Sequence, residues 1–414
     1  MILDKKKLRA VARKARLRID SWRGPELYNL LALALNRTSA ANSNGEFDTI
    51  IVAPSGGGSI GDQALVEGAL RKLSGKVLVI SRAADSYRTK DFSGDVVVEG
   101  MPRLITGGAI GNVRGAAELL GRLKRNGRLV VIGADVMDGL YNPSDSVARF
   151  EIARQASKRG FRAALLPFSW NETPRPSARR AALLASKAGV DIYARDPESF
   201  KRLRALGVAV TESADLVFND DRLSSAERIN EIMSVITDRR DETVIVNVSG
   251  LVSSKPGLLE AYVDVVNAVL EKGYSVLILP HDLRKGVNDL DYCRQLANHF
   301  TTDGRVGLVP DEISPSDIRG VSTAASFIVT GRMHLAVMSL MNGRPNVALS
   351  VQGKVFGLLS NFGISEYCVE IEDAVRGALL ERTLAMVDDV PHASERVRDG
   401  LPAVVELAAR PFAG

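Results

Sequence analysis

Cysteine is scarce in this chain: Cys293 and Cys368 are the only thiols in 414 residues. They stand far apart and match no metal-ligand spacing. A disulfide framework and a structural zinc site are therefore not expected, and a reducing compartment is. Histidine is scarce too, with four copies, and aromatic residues make up 5%. No stacking-aromatic motif is present, which argues against nucleic acid as a partner. No apolar run approaches the roughly 20 residues that span a bilayer. No secretory signal with a proper apolar h-region is visible.

What is present is ordinary for a soluble globular protein: 45% hydrophobic and 25% charged residues. A chain of this length can bury two full cores. The positive charge is uneven. Residues 1–23 hold nine Lys/Arg and two Asp, a net of +7 against +5 for the whole chain, so the remainder carries −2. Leu8, Val11, Ala15, Ile19 and Trp22 recur at helical spacing among those cations. This basic amphipathic helix has two readings. It docks peripherally on an anionic membrane surface, or it packs one face on the domain and solvates the other. Asp4, Asp20 and the lack of Ser-rich composition disfavour a transit peptide.

Strand-like apolar runs alternate with helical stretches, the pattern of an open α/β sheet. Strands are expected at Thr49–Ala53, Lys76–Ile80, Arg103–Thr106, Arg128–Ile132, Arg162–Leu166 and Asp191–Ala194. After the polar stretch Ser224–Glu242 they resume at Thr243–Val248, Ser275–Leu279, Arg305–Leu308, Phe327–Thr330 and Asn346–Ser350. The fold class is α/β, with two Rossmann-like domains facing a cleft. The expected divisions are a helical segment 1–45, a first domain 46–223, a linker 224–242, a second domain 243–385 and a helical tail 386–414 ending in a helix at Leu401–Ala409. Ligands of such sheets bind beyond the carboxyl ends of the strands.

The stretch VTGRMHLAVMSLMNGRP, residues 329–345, places Arg332 and His334 where a strand turns into a helix. A helix N-terminus offers free N–H groups and partial positive charge to an anion. Arg332 adds a permanent two-pronged cation. The alternatives are a surface ion pair and a core histidine. Upstream, GGGSIGD supplies Gly56–Gly58 and Gly61 for close backbone approach, and Asp62 opens a helix as N-cap or as a working carboxylate. No Gly-Lys-Ser/Thr follows, so this is not a Walker loop. TGGAIGN, ending at Asn112, is expected to repeat the glycine-rich turn after another strand. In YARDPESF, Asp196 and Pro197 make a helix start. Arg195 ends a strand, where it meets an anionic ligand or a carboxylate. His281 and Asp282 in LPHD follow a strand and either touch a sugar or cap a helix. The Asp289–Leu290–Asp291 triplet is assigned no metal. Lys354 follows the strand ending near Ser350, either neutralising the same anion or solvated.

Taken in order, GGGSIGD, ARDPESFKRLRALGV, TGRMH with its GRP, and QGKVFGLLSNFGI resemble the polysaccharide pyruvyl transferase family from about residue 50 to 364. The resemblance implies a GT-B-like architecture and transfer of a pyruvyl group from phosphoenolpyruvate onto a sugar. A cyclic ketal forms and phosphate leaves. It implies donor-site residues Arg195, Arg332, His334 and Lys354. The second domain would then hold phosphoenolpyruvate, and the first the acceptor, beside Gly57, Gly58, Ser59, Asp62 and Asn112. His334 is expected as proton donor or phosphate ligand and Asp62 as acceptor-side base. Phosphoenolpyruvate is a co-substrate, with no cofactor or metal. The chain departs from the family at Ser59, commonly Asn, and at Val351 and Gln352, where an aromatic is often found.

A lipid-linked acceptor would place the protein in the cytoplasm, peripherally on the inner face of the membrane through residues 1–23. The main alternative is a nucleotide-sugar-dependent glycosyltransferase of the same architecture. The lack of an evident ribose carboxylate argues against it. A non-catalytic polysaccharide or lipid binder has no need for a titratable group beside an anion clamp.

Overall fold

The computed structural model describes residues 45–54, 57–92, 94–250, 255–284, 288–310, 313–350 and 354–413. The basic helix expected at 1–23 lies outside them, as do Gly56 and residues 351–353. The chain forms two compact units. Residues Gly58–Arg71, carrying helix α1 (Ile60–Leu70), belong to the second unit with Ala214–Arg410. The first unit is the described chain up to Gly57, Lys72–Ser213 and the residues from Pro411.

Seven parallel strands form the first sheet: β1 (Phe47–Val52), β2 (Val77–Ser81), β3 (Val96–Gly100), β4 (Leu123–Ala134), β5 (Arg162–Phe168), β6 (Asp191–Ala194) and β7 (Thr211–Glu212). Their order is β3-β2-β1-β4-β5-β6-β7. Runs such as VLVIS in β2 are buried throughout, as expected when helices cover both faces. The expected strand at Arg103–Thr106 is instead a short helix, α2 (Pro102–Thr106). Proline at the first helical position is preorganised for a helix, and the neighbouring VVVEG run takes the strand position. The expected turn TGGAIGN is a helix–helix junction at Gly107. Helix α3 (Gly108–Leu120) follows and incorporates Asn112. Helix α4 (Pro143–Lys158) starts at Asn142, whose side chain accepts from the Ser144 and Asp145 amides. Helix α5 (Pro197–Ala205) starts at Asp196, which accepts from the Ser199 amide at 2.8 Å.

Six parallel strands form the second sheet: β8 (Thr243–Asn247), β9 (Ser275–Ile278), β10 (Val306–Leu308), β11 (Phe327–Thr330), β12 (Asn346–Ser350) and β13 (Cys368–Glu370). The order β10-β9-β8-β11-β12-β13 reverses direction between β8 and β11. Such a reversal opens the crevice in which doubly wound sheets bind ligands. The stretch expected as a linker carries helix α6 (Ala226–Met233). The sequence reading puts α1 and residues 214–223 in the first domain; in the structure both pack in the second unit. Gly68 in α1 lies against the Leu216 carbonyl so closely that a Cβ would collide. Glu67 in α1 reaches the buried Arg319 at 3.5 Å, beside Asp220 at 3.2 Å from the same guanidinium. Burial holds the Glu67 carboxyl above its usual range. The terminal helix is longer than expected. The helical tail expected at 386–414, with its helix at Leu401–Ala409, is one helix that spans Leu379–Ala409 and includes Pro391 and Pro402. Among the described residues no helix is long and apolar enough to cross a membrane.

Candidate functional site

The reversal point of the second sheet is held by a polar network. Thr330, ending β11, donates from Oγ1 to Asn247 Oδ1 at 3.1 Å and accepts from the Arg332 amide at 2.9 Å. Arg332 is the N-cap residue of helix α8 (Met333–Leu340) and is 7% exposed. Its Nε donates to both oxygens of Asp289 at 3.1 Å, and Nη2 lies 2.5 Å from Oδ1. Nη1 sits 3.2 Å from Asp282 Oδ2. Asp289 opens helix α7 (Asp289–Ala297) and is fully buried. It also accepts from Asn247 Nδ2 and from the amides of Gly250, His281 and Asp282, at 2.7–3.1 Å. Arg332 is therefore not the open clamp the sequence suggests: two carboxylates already engage it.

The charge chain continues. Asp282 receives a two-pronged contact from Arg284, with distances of 3.0 and 2.6 Å. Arg284 Nη1 lies 3.6 Å from Asp62 Oδ2. Asp62 is in the first turn of α1. Ser59 is the N-cap there, accepting from the Asp62 amide at 3.3 Å. The capping alternative for Asp62 thus passes to Ser59, and its carboxylate points into the ion chain. Ser59 also bridges to Asp282 as an isolated antiparallel pair, and Leu283 donates to the Gly58 carbonyl. Gly58 has φ +90, a conformation that favours glycine.

His334 lies in the first turn of α8. Its ring sits where a Cβ on Gly61 would be, so glycine at 61 is a packing requirement. The Nε2 atom is buried, lacks a hydrogen-bond partner among the described residues, and stands 3.8 Å from the buried Asp215. His281 is 3% exposed, and neither of its ring nitrogens has a partner among the described residues. Burial, and then the positive charge of His334, Arg332 and Arg284, hold its imidazole well below the usual 6.5.

The remaining expected residues divide differently. Arg195, in the first unit, is 2% exposed, pairs with Asp135 and donates to Ser169 Oγ from Nε at 3.1 Å and Nη2 at 2.6 Å. It too is occupied by a carboxylate. Asn112 is fully buried in α3 and donates to the carbonyls of Leu104 (2.8 Å) and Ala148 (3.3 Å). Those bonds hold α3 in place and occupy the amide nitrogen of Asn112. Gly57 is exposed, with the Ser86 backbone 3.0 Å from where its Cβ would lie. Lys354 begins helix α9 (Lys354–Ser360); its side chain lies outside the described atoms. Asp215 and the pairing of Asp289 with Arg332 were not anticipated. The Asp289 triplet was visible, but nothing local connects it to a cation 43 positions away. Among the described residues no group of three or more His, Cys, Asp and Glu is placed to hold a metal.

Two outcomes are expected from this geometry. Gly61→Ala should keep the fold, since alanine suits a helix, but displace the His334 ring, seen as moved imidazole nitrogen signals in 15N NMR. Unmoved signals would refute the packing. For His281, the folded state binds fewer protons than the unfolded state below 6.5. Stability should therefore fall as pH drops below that value, by up to roughly 1.4 kcal/mol per pH unit. Denaturant unfolding of wild type and His281→Gln should give a shallower acid slope in the variant; equal slopes would contradict it.

A polysaccharide pyruvyl transferase family model matches residues 60–353. One curated relative, the amylovoran biosynthesis protein AmsJ of Erwinia amylovora, is 23% identical over 143 residues, 33% of this chain and 34% of that protein. The chain thus aligns with about a third of that relative's length. Among solved structures, the UDP-GlcNAc 2-epimerase of Methanocaldococcus jannaschii is similar, with a TM-score of 0.54 at 11% identity over 82% of this chain and 91% of that one. The Anabaena protein Alr3699/HepE, in complex with UDP and glucose, has a TM-score of 0.55 at 13% identity over 87% and 95%. These likenesses show the fold, two parallel sheets with alternating helices of the GT-B-like kind. With the family model covering well over half its length, the chain belongs to the polysaccharide pyruvyl transferase family.

Proposed function

We propose that the protein moves the pyruvyl group of phosphoenolpyruvate onto two hydroxyls of one sugar in a polysaccharide or lipid-linked precursor. A cyclic ketal forms and phosphate is released. Family membership supports the transferred group, and the name of the relative AmsJ supports a polysaccharide setting. The observation that carries the residue-level reading is the meeting of two helix starts, α1 and α8, around His334, whose Nε2 has no partner among the described residues. Helix N-termini favour phosphate and carboxylate.

In the proposed reaction, His334 is protonated beside the donor phosphate and gives its proton to the methylene carbon. The adjacent carbon becomes oxocarbenium-like. One sugar hydroxyl adds there and loses its proton to Asp62. The carbon–oxygen bond to phosphate then breaks, and phosphate leaves with the electron pair. The second hydroxyl closes the ring and gives its proton to the departing phosphate. Asp62 returns its proton to solvent and His334 takes one up. Arg332 keeps Asp289 as its fixed partner, and the donor competes with Asp282 for Nη1. Arg195 and Lys354 enter as donor ligands on family resemblance alone, and Gly57, Gly58 and Ser59 as acceptor-side backbone. No cofactor is required. Positioning and charge stabilisation supply the rate.

Fold relatives solved with UDP favour a second reading, a nucleotide-sugar donor. One experiment separates the two: thermal unfolding with phosphoenolpyruvate or a panel of nucleotide sugars, in wild type and His334→Gln. At a hundredfold excess over its Kd, phosphoenolpyruvate should stabilise wild type by about 2.7 kcal/mol, and the variant less. Stabilisation by a nucleotide sugar alone would overturn the pyruvyl reading. We also propose that residues 1–23 dock the enzyme on the inner face of the membrane. Deleting them should abolish co-sedimentation with anionic vesicles; undiminished co-sedimentation would reject that role.

A further inference from the structure

His281 stands three positions beyond β9, on the strand next to β8 and so beside the reversal point of the second sheet. It is 3% exposed, yet neither ring nitrogen is hydrogen-bonded among the described residues. Leaving a buried polar atom unpaired is costly. An apolar side chain would fill a core position without that loss, so two idle nitrogens are poor core material. They are good ligand material. The His281 amide donates to Asp289 Oδ2 at 3.1 Å, which ties its backbone to the carboxylate that holds Arg332. The charged side chains that act on its ring are His334, Arg332 and Arg284, all cationic or able to become so. A small anion bound among them would bring the acceptor atoms that the ring lacks.

We infer that His281 is a further donor-site residue, donating a ring N–H to the carboxylate or phosphate of the bound donor. The inference rests on the phosphoenolpyruvate reading and deepens it. Burial and its cationic neighbours keep the His281 ring neutral, so it can donate a hydrogen bond without titrating. His334, at the more open edge, carries the proton that moves. The two imidazoles thus divide the work: His281 fixes the anion and His334 serves as acid.

The test is calorimetric binding of phosphoenolpyruvate and of inorganic phosphate to the full chain, in wild type, His281→Phe and His281→Gln. His281→Phe keeps an aromatic ring but removes both nitrogens, and should weaken phosphoenolpyruvate by roughly tenfold or more. His281→Gln restores an N–H and should recover most of that loss. If the Phe variant fails to fold, 15N-histidine NMR of wild type decides. Phosphoenolpyruvate should then shift the His281 ring signals, assigned by their loss in His281→Gln. Wild-type affinity in His281→Phe, or unmoved His281 signals, would overturn the inference and leave the proposed function standing. Absence of any phosphoenolpyruvate binding to wild type would overturn the proposed function and this inference together.

Discussion

The candidate site hangs on one buried ion pair, Arg332 with Asp289. Taking two charges out of water is expensive, and the pair is stable only if its remaining donors and acceptors are also satisfied. Asp289 meets that condition. Besides Arg332 it accepts from a side-chain amide and three backbone amides, drawn from the ends of β8 and β9. One carboxylate thus gathers the loops that follow two neighbouring strands and fixes the guanidinium that begins α8. The ion chain then extends through Asp282 and Arg284 to Asp62. Its far end lies at the start of α1, within the second unit.

Close approach does the rest. The His334 ring lies against Gly61, where any side chain would displace it. Gly61 therefore serves here as a backbone thin enough for an imidazole to rest on. The serine of the same motif caps the helix, which leaves the Asp62 carboxylate available to Arg284. Both helix starts present positive ends toward one histidine, an arrangement that favours an anion beside it.

Much of this was legible in the sequence. β11 and β12 fall where the apolar runs put them, because strands buried on both faces read as continuous apolar segments, and β6 spans the expected Asp191–Ala194. The D-P-E start of α5 was legible for the same local reason. The misreadings have physical causes. Arg103–Thr106 looks like a strand, but Pro102 starts a helix there. The last helix, expected within 386–414, begins earlier, at Leu379. TGGAIGN looks like a turn after a strand, but it is a helix–helix junction whose Asn112 donates to two backbone carbonyls. Arg332 and Arg195 follow β11 and β6 as expected, but their carboxylate partners are distant in sequence and no local pattern names them. The packing of α1 with the second unit is a tertiary fact of the same kind.

The pairing of Arg332 with Asp289 is tested most directly by a double-mutant cycle on unfolding free energy with Arg332→Ala, Asp289→Ala and both together. Removing one member leaves the other charge buried and uncompensated, so each single change is expected to cost about 3–5 kcal/mol. The double variant should cost little more than Asp289→Ala alone, a strongly non-additive cycle. Additive losses would mean that the two residues act independently, and the site would need a different organising contact.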